Sequence, residues 1–219
     1  MKGNGLNVAL IYAVTAALAG AAALLGAGRL WIGGMYFLVI CVGIVLIELL
    51  ILRFTRPHVL KRRLDSVNWW DRILVPVIAL SIVASAVLSA YDVANKISVL
   101  PSWTFFVSLL LLVSSFLITA QAMVAQPPHA RDKYEEEPAD PKERGPYDTV
   151  RFPAMLAVLL GSVAVPLFLG SGIGFLPLIV TVLAVVARVS QEDNWRFNNL
   201  DWYFDYTKEV SYRLLPFIW

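Results

Sequence analysis

Residues 145–160, GPYDTVRFPAMLAVLL, decide how the second half of this chain is organised. The segment opens as a short polar loop and then stays apolar to its end. A second segment, residues 188–219, follows another apolar run, becomes amphipathic and ends on RLLPFIW. Together the two segments predict a polar loop that enters a membrane helix, and a later return of the chain to the same side.

The composition indicates a polytopic membrane protein. The 219 residues are 58% hydrophobic and 16% charged, with a mean hydropathy of +0.69, which is too apolar for a soluble domain. The only cysteine, Cys41, cannot form an intrachain disulfide, so the sequence leaves the redox compartment open.

Six apolar runs are long enough, at about 20 residues each, to cross a bilayer. Backbone amides in hydrocarbon must be paired within the chain, so we expect six helices and an all-α fold. The first run is interpreted as a membrane helix because a second run follows at once, with a cleaved signal peptide as the alternative. The runs cover residues 6–26, 30–52, 73–92, 103–125, 152–169 and 173–189.

This pattern predicts two units. The first is an N-terminal two-helix membrane hairpin, and the second holds the remaining four helices. A tight turn at Gly170-Ser171-Gly172 should make the last two helices an antiparallel hairpin. The units cover residues 1–54 and 55–219, and the second contains a cytoplasmic loop at 126–150, the hairpin at 152–189 and a tail at 190–219.

The tail is predicted to form an amphipathic helix. Apolar side chains recur there at helical spacing, with charged residues on the other faces. Such a helix either lies on the membrane surface or closes over a cytoplasmic pocket, and the two roles are compatible. The stripe consists of Leu200, Tyr203, Thr207, Val210 and Leu214.

Basic residues orient the helices, because cytoplasmic loops of membrane proteins are enriched in Lys and Arg. With six spans, both termini are then cytoplasmic and the turn at 170–174 faces outward. We therefore predict an integral, multi-pass protein of a prokaryotic plasma membrane, in contact with membrane lipids. The orienting loop between the second and third runs carries Arg53, Arg56, Lys61, Arg62, Arg63 and Arg72.

This topology brings opposite charges together at the mouth of the last hairpin. Because its two helices are antiparallel, Arg151 should lie near residues 188–192. A cation and an anion there make a small polar site. The structural alternative is an internal salt bridge, or side chains that reach the membrane interface.

Both segments resemble motifs of the isoprenylcysteine carboxyl methyltransferase family. In that family the loop reads close to GPYRYVRHPxYxG, and the end reads close to R-x-x-x-E-E, then Y-x-x-Y, then V-x-Y-R-L-I-P-G-I-W. The resemblance extends over residues 55–219. Matching positions are Gly145, Pro146, Tyr147, Val150, Arg151 and Pro153 in the loop, and Arg188, Glu192, Leu200, Tyr203, Tyr206, Val210, Tyr212, Arg213, Leu214, Pro216, Ile218 and Trp219 in the tail.

The resemblance implies a membrane methyltransferase that uses S-adenosylmethionine and no metal. Its acceptor would be a small lipophilic or lipid-linked molecule of the carboxylate or thiol type. By charge, Arg151 suits the carboxylate of the cofactor and Glu192 its ammonium. The implied cofactor-binding residues are Gly145, Tyr147, Arg151, Pro153, Arg188, Glu192 and Asp193, and the implied substrate-binding residues are Tyr206 and Arg213.

Several positions depart from the family pattern. Phe152 stands where the family has His, and Met155 and Ala157 stand where it has Tyr and Gly. Asp193 replaces the second Glu of the acidic pair. These changes leave open a second hypothesis, in which the chain is a non-catalytic scaffold or subunit that has lost the cofactor and acts through a protein partner.

Other functional classes have less support in the sequence. A transporter would need an ionisable residue deep within a predicted span, and none is found there. His58, His129 and one cysteine do not have the spacing of a metal site. A basic run beside a span is typical of a topology signal or a lipid contact, so no nucleic-acid partner is predicted.

Reporter fusions test the predicted topology. A reporter placed at Trp219 should give a cytoplasmic signal, and one placed between Ser171 and Gly174 an external signal, because the basic loops favour that orientation. An external signal at Trp219 would overturn the six-span arrangement and separate the proposed site residues.

Overall fold

The computed structural model describes residues 69–125 and 145–219. Within them the chain forms five α-helices: α1 (Trp69–Asn95), α2 (Thr104–Val124), α3 (Pro153–Leu169), α4 (Leu176–Asn199) and α5 (Asp201–Glu209). Short 3₁₀ turns cover Gly145–Asp148 and Ile173–Phe175. The predicted spans at 6–26 and 30–52, and most of the loop at 126–150, lie outside the described residues.

The described part of the chain is all-helical and membrane-like. It contains no β-strand, only an isolated bridge between Val99 and Ser171. Three of its helices are long and apolar enough to cross a membrane, at Trp69–Asn95, Thr104–Ala122 and Ile173–Asn199. The helix Pro153–Leu169 is apolar but shorter, with 17 residues. The predicted all-α membrane fold is confirmed to this extent.

Each helix of the last hairpin packs mainly on an earlier helix. α3 lies chiefly against α2, and α4 chiefly against α1. Small residues let α2 and α3 approach closely: the Ser115 hydroxyl donates to the Ala157 carbonyl at 2.7 Å, and a methyl on Gly161 would lie 3.1 Å from that hydroxyl oxygen. Close approach through small residues and interhelical hydrogen bonds is how helices associate in lipid, which offers no hydrophobic drive between them.

Hydroxyl groups also connect α1 to the hairpin. The Ser81 and Thr181 hydroxyls lie 2.7 Å apart, and the Ser85 hydroxyl donates to the Gly174 carbonyl at 2.6 Å. All three hydroxyl-bearing residues are buried. Apolar side chains of α1, α2 and α4 point outward instead, as expected for surfaces that face hydrocarbon.

A buried aspartate closes one end of the bundle. Asp92, at the end of α1, accepts hydrogen bonds from the Ser98 amide at 2.7 Å, the Ser171 hydroxyl at 2.5 Å and the Ile173 amide at 3.2 Å. Gly170 ends α3 with φ +76°, a conformation that glycine adopts without strain. Asp92 therefore joins the α1–α2 loop to the turn of the last hairpin.

The last membrane helix runs further than its hydropathy predicts. The sequence places the end of this span at residue 189, yet α4 continues to Asn199. Its charges do not end the helix because Glu192 and Asp193 are buried and paired within the protein. The tail helix is correspondingly short: α5 ends at Glu209, so Val210 and Leu214 are buried as predicted but in non-helical chain.

Replacing Asp92 with Asn should destabilise the protein by about 1–3 kcal/mol, since the amide nitrogen cannot accept from the Ile173 amide. Thermal unfolding of the purified protein in detergent measures the change. The matched control is Asp205→Asn, which alters an exposed aspartate and should leave the melting temperature unchanged. Equal melting temperatures of the Asp92→Asn variant and the parent would show that Asp92 does not stabilise this end of the bundle.

Candidate functional site

Main-chain hydrogen bonds bring the loop before α3 against the C-terminal tail. The Arg151 amide donates to the Tyr212 carbonyl and the Phe152 amide to the Arg213 carbonyl, each at 2.9 Å. Val150 and Phe152, on either side of Arg151, are buried. The two segments singled out in the sequence are therefore in direct contact, through pairs of residues that are about sixty positions apart in the chain.

Asp193 is the common acceptor of this region. Its Oδ1 accepts from Arg151 Nη1 at 2.7 Å and from the Tyr203 hydroxyl at 2.6 Å, and its Oδ2 accepts from Arg213 Nε at 2.9 Å. Asp193 lies on α4, Tyr203 on α5, and the two arginines on the loop and the tail. We call these four residues the Asp193 cluster.

The Asp193 cluster is shielded from water. Arg151, Asp193 and Tyr203 are all buried, and Arg213 is half-buried. Burial raises the pKa of the Tyr203 hydroxyl well above its ordinary value, so the group is a neutral donor over the whole physiological range. A carboxylate with three donors, two of them cationic, is well compensated for its loss of hydration.

Glu192, the predicted neighbour of Arg151, has a different partner. It is buried and pairs with Arg196 one turn later, with Arg196 Nε 3.1 Å from Glu192 Oε1. The Arg196 guanidinium also lies over the rings of Phe152, at 5.1 Å, and Tyr203, at 6.0 Å. The expected proximity of Arg151 to the acidic pair is thus realised through Asp193, whose carboxylate accepts from Arg151 and from Arg213 of the tail.

Arg188 faces the first helix of the bundle rather than Arg151. Its Nε lies 2.8 Å from Asp71 Oδ1, so the two side chains form an ion pair. The Nε–H bond does not point at this oxygen, and the contact is therefore not a hydrogen bond. Its Nη1 donates to the Met155 sulfur at 3.2 Å. Arg188 therefore links α1, α3 and α4 just beyond the Asp193 cluster.

The remaining predicted site residues shape the loop. Gly145 has φ +52°, and a methyl group there would lie 3.1 Å from Ala125 Cβ. Both the backbone conformation and the limited space therefore favour glycine at this position. Pro153 starts α3, where its missing amide hydrogen is not needed. The Tyr206 hydroxyl donates to the Tyr147 carbonyl at 2.8 Å, which fastens α5 to the loop.

Among the described side chains that are shielded from water, this end of the bundle has a surplus of positive charge. Within residues 69–125 and 145–219, four guanidinium groups at this end are buried or half-buried, and three carboxylates are buried. The cations are Arg151, Arg188, Arg196 and Arg213, and the anions are Asp71, Glu192 and Asp193. Two buried donors, Arg151 Nε and Trp70 Nε1, have no acceptor in the described part of the chain. Arg213 uses only Nε in the cluster, and no hydrogen bond from its Nη atoms is formed within these residues. The region is therefore suited to an anionic group such as a carboxylate.

Sequence reasoning missed three contributors to this site. Arg196 could have been found, because it follows Glu192 at the i,i+4 spacing of helical ion pairs. The sequence pattern places Tyr203 in an apolar stripe, but its hydroxyl donates a hydrogen bond to Asp193. Asp71 is not among the site residues that the sequence predicts, yet it lies within α1 and pairs with Arg188.

No metal site is apparent in the described residues. Within 69–125 and 145–219, no three side chains of His, Cys, Asp or Glu come together as ligands of one ion. His58 and His129 lie outside these ranges. The absence of a metal requirement stays a prediction.

Replacing Asp193 with Asn should destabilise the protein by about 3–5 kcal/mol, because Arg151 would be left buried without its counter-charge. Tyr203→Phe should have a smaller effect of about 1.5–3 kcal/mol, since it removes a single hydrogen bond to a charged group. Thermal or denaturant unfolding in detergent measures both, with Asp205→Asn as the exposed control. A smaller loss for Asp193→Asn than for Tyr203→Phe would contradict this ranking.

A scan against protein-family models finds no match to this chain, and a search of curated proteins finds none either.

Proposed function

We propose that this chain is an integral membrane methyltransferase of the isoprenylcysteine carboxyl methyltransferase type. It would transfer the methyl group of S-adenosylmethionine to a small lipophilic or lipid-linked acceptor of the carboxylate or thiol type. The observation that supports this most is that both motif segments meet at Asp193. This α4 residue accepts hydrogen bonds from Arg151 in the loop before α3 and from Arg213 in the tail.

The residues present fit the cofactor by charge. S-adenosylmethionine supplies an activated methyl group on a sulfonium, and it also carries a carboxylate and an ammonium. The surplus guanidinium groups and the unpaired Arg151 Nε and Trp70 Nε1 suit the carboxylate. Glu192 and the aromatic rings of Phe152 and Tyr203 suit cationic groups, since carboxylates and ring faces both attract them.

The protein's part in such a reaction is positioning. An ionised carboxylate or thiolate acceptor needs no general base, so the protein has to bring two reactants into line and exclude water. The rigid Asp193 cluster suits this task because three chain segments are fixed to one carboxylate.

Arg213 is the better candidate for a cofactor carboxylate than Arg151. Arg151 donates to Asp193 at 2.7 Å and to the Ser211 carbonyl at 3.3 Å, so two of its three guanidinium nitrogens are engaged within the protein. Arg213 is half-buried and has both Nη atoms free of bonds to the described residues. We therefore assign Arg151 to holding the loop and Arg213 to the ligand.

The second candidate function is a non-catalytic membrane scaffold that acts through a protein partner. One observation favours it: Arg151 is paired with Asp193 and Glu192 with Arg196, so charges expected to hold a cofactor are engaged within the protein. Phe152, in the place of the family's His, fills the space beneath Arg196 with an apolar ring.

Calorimetric titration of the full chain in detergent with S-adenosylmethionine tests the proposal. The parent should bind, and Arg213→Gln should bind about ten- to a hundredfold more weakly, because one charge-assisted hydrogen bond is lost. Phe152→His should bind more tightly than the parent, since a smaller, polar ring replaces the phenylalanine under Arg196.

Two matched variants serve as controls. Arg72→Gln changes an exposed arginine at the same end of the bundle, and Phe197→His changes a half-exposed ring on α4. Both should bind like the parent. Absence of heat in the parent and in Phe152→His, with both proteins folded, would exclude the methyltransferase and favour the scaffold.

A further inference from the structure

The tail ends in an exposed apolar tip. Phe217 is 88% exposed and Ile218 is 78% exposed, and Leu215 beside them is partly exposed. We call residues 215–218 the tail tip. Large apolar side chains exposed in succession mark a contact surface far more often than single ones do.

The tail tip projects from a fixed base. The main-chain oxygen of Trp219 accepts from the amides of Arg213 and Leu214 at 3.0 Å and of Leu215 at 3.1 Å, which closes the loop. Leu214, immediately before the tip, is buried. Exposure of the tip is therefore built into a hydrogen-bonded turn.

Phe217 has a backbone conformation that disfavours its own side chain. Its φ is +68°, in the left-handed region where glycine is strongly preferred, and the family motif given above has glycine at this position. A bulky residue there costs free energy, and such strain persists where the placement of the side chain has a use. The nearest ring, Tyr212, is 5.4 Å away and leaves Phe217 almost fully uncovered.

The base of the tip lies beside the start of an apolar helix. The base of the tail is bonded to Arg151 and Phe152, directly before α3 begins. At the same end of the bundle, Trp69 is the first described residue of α1 and is 65% exposed, as expected for a tryptophan at the headgroup level. The tail tip therefore lies at the end of the bundle where we expect the headgroup level.

We propose that Phe217 and Ile218 insert into the membrane, at the boundary between headgroups and acyl chains, and anchor the tail over the Asp193 cluster. Arg213 is part of that cluster and precedes the tip by a few residues, so lipid contact would hold the mouth of the site against the bilayer. This role is independent of methyl transfer and would apply equally to a scaffold.

Spin-label depth measurements on the full chain in proteoliposomes test the proposal. Cys41→Ser provides a background without cysteine, in which Phe217→Cys or Ile218→Cys carries the label. At both sites, collisions with lipid-soluble oxygen should exceed collisions with a water-soluble nickel chelate. The second site keeps the test valid if Phe217→Cys fails to fold, as judged by its melting against the background protein.

Two control sites calibrate the measurement. Asp205→Cys on the exposed face of α5 should be more accessible to the nickel chelate, and Leu110→Cys on the outer face of α2 to oxygen. Accessibility at the tip equal to that at Asp205→Cys would overturn the proposal. Poor accessibility to both reagents would also overturn it, since the tip would then be covered by protein.

Discussion

The single carboxylate of Asp193 is the constraint on which one end of this structure depends. It receives hydrogen bonds from a loop arginine, a tail arginine and a tyrosine of α5, all within 2.9 Å. Because Asp193, Arg151 and Tyr203 are buried, none of these three can exchange its partner for water without a large loss of free energy. The loop, the tail and the last two helices must therefore assemble together.

Polar anchoring at both ends suits a bundle whose middle offers few specific contacts. Asp92 ties the loops at one end as Asp193 does at the other, and about 30 Å of helix separates Asp71 from Asp92, near the thickness of a hydrocarbon layer. Between them the helices are held by small residues and hydroxyl pairs such as Ser81 with Thr181. Side-chain packing in lipid is weak per contact, so the ends set the register.

The same end of the bundle combines a positive surplus with an apolar tip. Guanidinium groups in excess of carboxylates favour an anionic ligand, while Phe217 and Ile218 favour lipid. Engagement of Arg151 in an internal pair argues that rigidity, rather than direct ligation, is its contribution.

Within the described residues, the sequence by itself determined the apolar helices and the meeting of the two motif segments. Long apolar runs can only be helices in lipid, and a helix pair joined by Gly170-Ser171-Gly172 must return Arg151 to the side of residues 188–193. Tertiary structure decided the partners. Arg151 pairs with Asp193, where charge alone suggested Glu192 as well. The helix α4 continues to Asn199, beyond the end that hydropathy predicts, because pairing with arginines makes its buried carboxylates tolerable. Such pairings depend on packing between segments far apart in the chain, which no local pattern of residues encodes.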